Sequence, residues 1–173
     1  TWAQLPNQPA SRRMFYGLAV DPTNSKRIFW GACGSAPGVY RSEDGGESWK
    51  SVFPYPVWVF NLHVTADGTI YVLEKDVWRS TDHGATWKKL TNFTEGWTGI
   101  GFDVDPANPK TMWLSRVTWG GEPLGAVYRS TDDGATWQVI TGNLPYVKPL
   151  VLRFNPETRE LWVGFVGLFK LKQ

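Results

Sequence analysis

An eight-residue pattern, Ser-x-Asp-x-Gly-x-(Thr/Ser)-Trp, occurs three times in this 173-residue chain, at residues 42–49, 80–87 and 130–137. Each copy follows a short run ending in an aromatic residue and arginine (Val39-Tyr40-Arg41, Val77-Trp78-Arg79, Val127-Tyr128-Arg129) and leads into Trp-x-x-apolar. Such a run encodes strand, tight turn, strand, and its recurrence marks a repeat architecture. Gly46, Gly84 and Gly134 supply the positive φ that a tight connection needs. Asp44, Asp82 and Asp132 can accept hydrogen bonds from the turn's own amides. Trp49, Trp87 and Trp137 begin the next strands and are expected to pack between adjacent units. With Ser42, Ser80 and Ser130 at the head of each copy, these residues form a scaffold.

Aligned on the three copies, residues 13–53 make one unit with strands at 15–20, 27–31, 38–42 and 48–53. Units at 57–90 and 97–140 repeat it, and Val104-Asp105-Pro106-Ala107-Asn108-Pro109 echoes Val20-Asp21-Pro22-Thr23-Asn24-Ser25. A last unit at 146–173 has strands at 148–154, 160–164 and 167–171 and lacks a fourth. Thr1-Trp2-Ala3-Gln4-Leu5 matches Thr86-Trp87-Lys88-Lys89-Leu90, so residues 1–5 read as an orphan fourth strand. Four antiparallel strands per unit make a propeller blade. The expected fold is therefore an all-β propeller of about four blades in a single domain or propeller fragment, with the N-terminal strand completing the last blade, or half of a larger ring. An open arc exposes apolar blade faces, which predicts a homodimer or a missing propeller segment.

The pattern resembles the Asp-box, or BNR repeat, of β-propellers such as sialidases, xyloglucan-hydrolysing glycosidases and sortilin-like receptors. The connector and the Val-Tyr-Arg-Ser-Thr-Asp run are most similar to the xyloglucan hydrolases. In these families the box lies on the face away from the active site, so the resemblance implies a fold first. It also implies a secreted carbohydrate-active propeller related to xyloglucan and β-glucan hydrolases, binding a polysaccharide or oligosaccharide. The alternative is a non-catalytic protein-interaction or assembly propeller. The xyloglucan hydrolases carry a catalytic aspartate near the start of an inner strand, where this chain has Phe15-Tyr16-Gly17-Leu18 and Trp97-Thr98-Gly99-Ile100. No acid stands there.

A site is expected on the loops opposite the boxes, since a propeller's variable loops gather on one face. These loops carry Tyr16, Tyr55, Trp58, Trp97, Trp119 and Tyr146. An indole stacks on the apolar C–H face of a pyranose, and carboxylates accept bonds from its hydroxyls. Trp58 and Trp97 also suit the start of a core strand. Trp119 sits in Trp119-Gly120-Gly121-Glu122-Pro123, the longest glycine-rich insertion, and long loops are often functional. Hydrolysis calls for two carboxylates, and Glu95 with Glu122 is the rim pair available.

Composition excludes other classes. Net charge is +2 and the 18 Lys and Arg are scattered among 16 acids, so no basic stripe suits nucleic acid. A single cysteine, Cys33, excludes an internal disulfide, and His63 and His83 stand far apart, so no metal and no cofactor is expected. No apolar run nears the roughly 20 residues that cross a bilayer, so no membrane partner is expected.

Overall fold

The computed structural model describes residues 1–9, 15–120, 124–145 and 148–172, with Phe15 and Tyr16 described in their backbone alone. Fifteen strands and no helix occur among them, so none is long and apolar enough to cross a membrane as a helix. The first sheet runs β1 (Phe15–Asp21), β2 (Asn24–Ala32), β3 (Gly38–Ser42) and β4 (Lys50–Ser51), each antiparallel to the next. The second is β5 (Asn61–Val64), β6 (Ile70–Leu73), β7 (Val77–Ser80) and β8 (Lys88–Lys89). The third is β9 (Thr98–Val104), β10 (Met112–Val117), β11 (Gly125–Ser130) and β12 (Gln138–Val139). The fourth holds β13 (Val151–Asn155), β14 (Glu160–Gly164) and β15 (Leu168–Lys172). Sequential antiparallel sheets of this kind are propeller blades.

The chain divides into two compact units, Thr1–Glu74 with Trp78–Lys88, and Lys75–Val77 with Lys89–Gln173. In the first, Phe29 and Val39 of the first sheet pack with Leu62, Ile70 and Val72 of the second. In the other, Trp113 and Val127 of the third sheet pack with Leu152, Phe154, Leu161 and Val163 of the fourth, and the Trp113 and Phe154 rings stack at 4.2 Å. Period-2 alternation places these side chains on one face of each strand.

The boxes are three renderings of one turn. Each serine hydroxyl accepts from the glycine amide (Ser42 from Gly46 2.8 Å, Ser80 from Gly84 2.8 Å, Ser130 from Gly134 2.9 Å) and donates to the box aspartate. Each aspartate also accepts from the amide and hydroxyl of Ser48, Thr86 or Thr136. Those bonds, the hydroxyl's first, hold the Asp82 and Asp132 carboxyls down to about 2 and the Asp44 carboxyl lower still. The box glycines are left-handed (φ 100, 86 and 82), and so is the residue before each, Gly45, His83 and Asp133.

Two expectations are corrected. The outer strands β4, β8 and β12 pair over two residues each, shorter than the expected 48–53 span of the first. They are edge strands exposed on both faces, and the aliphatic residue just after β4 and β8 turns away to cover the next box, Val52 on Gly84 and Leu90 on Gly134. Residues 1–5 do not complete the last blade in this single chain. They form no strand, Trp2 is fully exposed, and Leu5 instead seats on Gly46 of the first box, where Asn7 donates to the Glu47 carbonyl.

Candidate functional site

The antiparallel order sets which loops share an end of a sheet. In the third sheet, β11 leaves through the box to β12, so the β10–β11 connection and the segment entering β9 lie at the opposite end. That end holds Glu95, Trp97 and Trp119.

The segment before β9 is fastened in layers. Asp76, buried beside β7, accepts from the Thr91 hydroxyl and the Phe93 amide (both 2.9 Å) and pairs with Lys89 at 2.7 Å. Phe93 is thereby fixed beneath Arg116, whose guanidinium lies 3.6 Å from its ring centroid. Arg116 is fully buried near the end of β10. It donates to the Glu95 carboxylate at 3.3 Å and to the carbonyls of Glu95 and Trp97 at 3.2 and 3.1 Å. A buried guanidinium is stabilised only when it is paired, and this one turns both terminal nitrogens to the loop that carries Glu95, while its buried Nε has no hydrogen-bond partner among the described residues.

Glu95 is half-exposed, and its own backbone amide and Arg116 hold its carboxyl below the ordinary glutamate range. Near neutral pH it is an ionised acceptor for hydroxyl groups. It is a poor proton donor, because a general acid needs a raised pKa. Trp97 is partly buried, with Arg116 5.8 Å from its ring centroid, and Trp119 exposes about 50% of its surface, with the Lys148 ammonium 5.6 Å from its ring. An exposed indole and a fixed carboxylate at the same end of one sheet can take the stacking and hydrogen-bonding halves of a sugar contact.

The other sequence-selected residues fall elsewhere. In the first unit, Tyr55 packs on Phe53 and Trp78 at 6.0 and 5.1 Å, and Trp58 on Phe60 at 6.3 Å, with Tyr55 and Trp58 each about half exposed. The Tyr16 side chain, Glu122 and Tyr146 lie outside the described residues. Trp87 packs edge-on to Phe53 at 5.0 Å and donates to the Val52 carbonyl of the preceding sheet, whereas the Trp49 and Trp137 indoles donate to their own boxes. Among the described residues no cluster of three or more His, Cys, Asp or Glu could hold a metal. Sequence reasoning missed Arg116 and Phe93. The signal was an arginine set between Ser115 and Val117 in a strand buried at every position.

Residues 78–89 match the BNR/Asp-box repeat family. Xyloglucanase Xgh74A of Acetivibrio thermocellus is 33% identical over 120 residues, 52% of this chain and 14% of that protein. The GH74 xyloglucanase structure from Xanthomonas campestris superposes with a TM-score of 0.75 at 18% identity, covering 91% of this chain and 28% of that one. A structure of YCF48 bound to D1 peptide superposes with a TM-score of 0.60 at 14% identity, covering 99% of this chain and 57% of the other. This chain thus spans a small part of the xyloglucanases it matches. From its three boxes and these likenesses, it is a BNR/Asp-box β-propeller chain that resembles the xyloglucanases.

Proposed function

We propose that this chain is a polysaccharide-binding part of a carbohydrate-active propeller, taking a neutral β-glucan such as xyloglucan on the loop end of the third sheet. Trp119 is the stacking platform, Glu95 the hydroxyl acceptor, and Arg116 the residue that positions Glu95. The observation carrying this reading is the buried Arg116, committed to holding a half-exposed carboxylate at the end of the sheet from which the exposed Trp119 also projects. The likeness to xyloglucanases supports the choice of glycan. Glu95, held ionised by Arg116 and its own amide, suits the acceptor of sugar hydroxyls and not the general acid of a hydrolase. A glycan of this kind places the protein outside the cell.

Calorimetry with a xyloglucan oligosaccharide tests the proposal. Trp119→Ala is expected to weaken binding about tenfold, the scale of one lost aromatic contact. Glu95→Gln should weaken it less, and neither variant nor parent should release reducing ends. Unchanged affinity in Trp119→Ala, or no binding by the parent chain, overturns the site. Reducing-end release that Glu95→Gln abolishes overturns the binding-only reading.

A further inference from the structure

Asp76 is a buried carboxylate that the repeat does not demand. The junctions after the outer strands are built alike: the carbonyls of Val39, Val77 and Val127 accept from the amides of Val52, Leu90 and Ile140 at 2.9, 2.8 and 2.8 Å. The residue ahead of each valine is Gly38, Asp76 or Ala126. The third sheet repeats even the threonine of the second, since the Val77 amide donates to the Thr91 hydroxyl at 2.9 Å and the Val127 amide to the Thr141 hydroxyl at 3.0 Å. That junction closes over Ala126 with no acid. Asp76 is only 3% exposed, and burying a carboxylate is unfavourable unless it is bonded, so its presence is not explained by the junction it sits in.

What sets the second junction apart is the segment that follows it. Asp76 accepts from the Phe93 amide at 2.9 Å, and Arg116 grips the same segment further on, donating to the carbonyls of Glu95 and Trp97. Arg116 is likewise a departure from the repeat, for it pairs in register with Ala126 where Ala32 pairs with Gly38. Two exceptional buried charges thus hold residues 91–97, an acid on an amide and a base on two carbonyls. They meet at Phe93, whose ring centroid lies 3.6 Å from the guanidinium carbon. The Arg116 Nε has no hydrogen-bond partner among the described residues, so the guanidinium is oriented by that ring and by its bonds to the loop. Asp76, residues 91–97 and Arg116 all belong to one compact unit.

We propose that Asp76 is a positioning residue for Glu95: by fixing Phe93 it orients Arg116, and through Arg116 the Glu95 carboxylate, without itself touching the sugar. The inference rests on the reading of Glu95 as the hydroxyl acceptor.

Two substitutions test it. Asp76→Ala installs the residue that the third sheet carries at this place, whereas Asp76→Asn keeps an oxygen for the Phe93 amide and the Thr91 hydroxyl and removes only the charge. Loss of a neighbouring negative charge favours ionisation of another carboxyl, so charge removal alone moves the Glu95 titration down in pH, and displacement of Arg116 moves it up. Carbon-13 NMR of the glutamate carboxyls, assigned with Glu95→Gln, is expected to show Glu95 titrating at higher pH in Asp76→Ala but not in Asp76→Asn, with the β-sheet circular dichroism unchanged in both. Calorimetry should show a xyloglucan oligosaccharide bound about two- to tenfold more weakly by Asp76→Ala, the range of one hydrogen bond, with no further loss when Glu95→Gln is added. A Glu95 titration that stays or falls in Asp76→Ala overturns the proposal, as does an equal rise in Asp76→Asn. Loss of the β-sheet signal in Asp76→Ala overturns it too, because the acid is then needed by the fold. The titration requires no sugar, so it decides the role of Asp76 separately from the sugar reading, which falls alone if the parent chain leaves the oligosaccharide unbound.

Discussion

At the residue scale, the box carboxylates combine exposure with strong local bonding. Asp82 takes the Thr86 hydroxyl at 2.6 Å and the Thr86 amide at 2.8 Å, and its carboxyl falls from the ordinary 3.8 to about 2. A carboxyl whose pKa is lower folded than unfolded stabilises the fold above the unfolded value and loses that contribution as pH falls through the folded one. Stability is accordingly expected to fall between about pH 4 and about pH 2, and Asp82→Asn to flatten that part of the profile. Urea midpoints across this range check it, and an unchanged slope in the variant refutes it. The roles of the box serine, aspartate and glycine were legible because each follows from the side chain alone. The left-handed His83 and Asp133 were not, since His and Asp adopt that conformation far less regularly than glycine and do not mark it in a sequence by themselves. Arg116 was hidden for a related reason: arginine is exposed by default, and only its place in a strand buried throughout shows otherwise.

At the element scale, inner strands were readable from alternation and outer strands were not. An edge strand whose residues are exposed on both faces, such as Lys50–Ser51, leaves no period-2 signal. The loop bearing Trp119 could be picked out by its length, but the layer beneath Glu95, from Asp76 through Phe93 to Arg116, joins residues 40 positions apart through contacts that no local pattern predicts. Sheet-to-sheet spacing is a further tertiary property. A Cβ on Gly101 would meet the Ser115 hydroxyl at 2.5 Å, the Leu152 Cβ at 2.7 Å and the Leu152 amide nitrogen at 3.1 Å. Backbone and a Cβ cannot swing aside, so Gly101→Ala is expected to cost about 1–3 kcal/mol by overpacking. Gly96→Ala, where a Cβ meets nothing within 4 Å, should stay within about 0.5 kcal/mol. Chemical denaturation of the two variants separates them, and equal stability would show that the sheets are not in close contact at Gly101.

At the scale of the whole molecule, charge is spread and largely cancelled. The net charge is +2, and Arg27, Arg41, Lys89, Arg116, Arg159 and Lys170 each stand within 3.3 Å of a carboxylate. Cations occupied in this way do not add up to a long-range field, and a polyanion bound by a basic surface loses affinity steeply as salt rises. Stacking of a neutral sugar on indole is short-ranged and nearly indifferent to screening. Affinity for a xyloglucan oligosaccharide is therefore expected to change by less than about twofold between about 50 and about 500 mM sodium chloride, with no retention on heparin or duplex DNA at the lower salt. Titration calorimetry at the two salt concentrations and a heparin column provide the readouts. A steep loss of glycan affinity with salt would move recognition from Trp119 to unpaired lysines, and retention on heparin would show that the scattered cations act together after all.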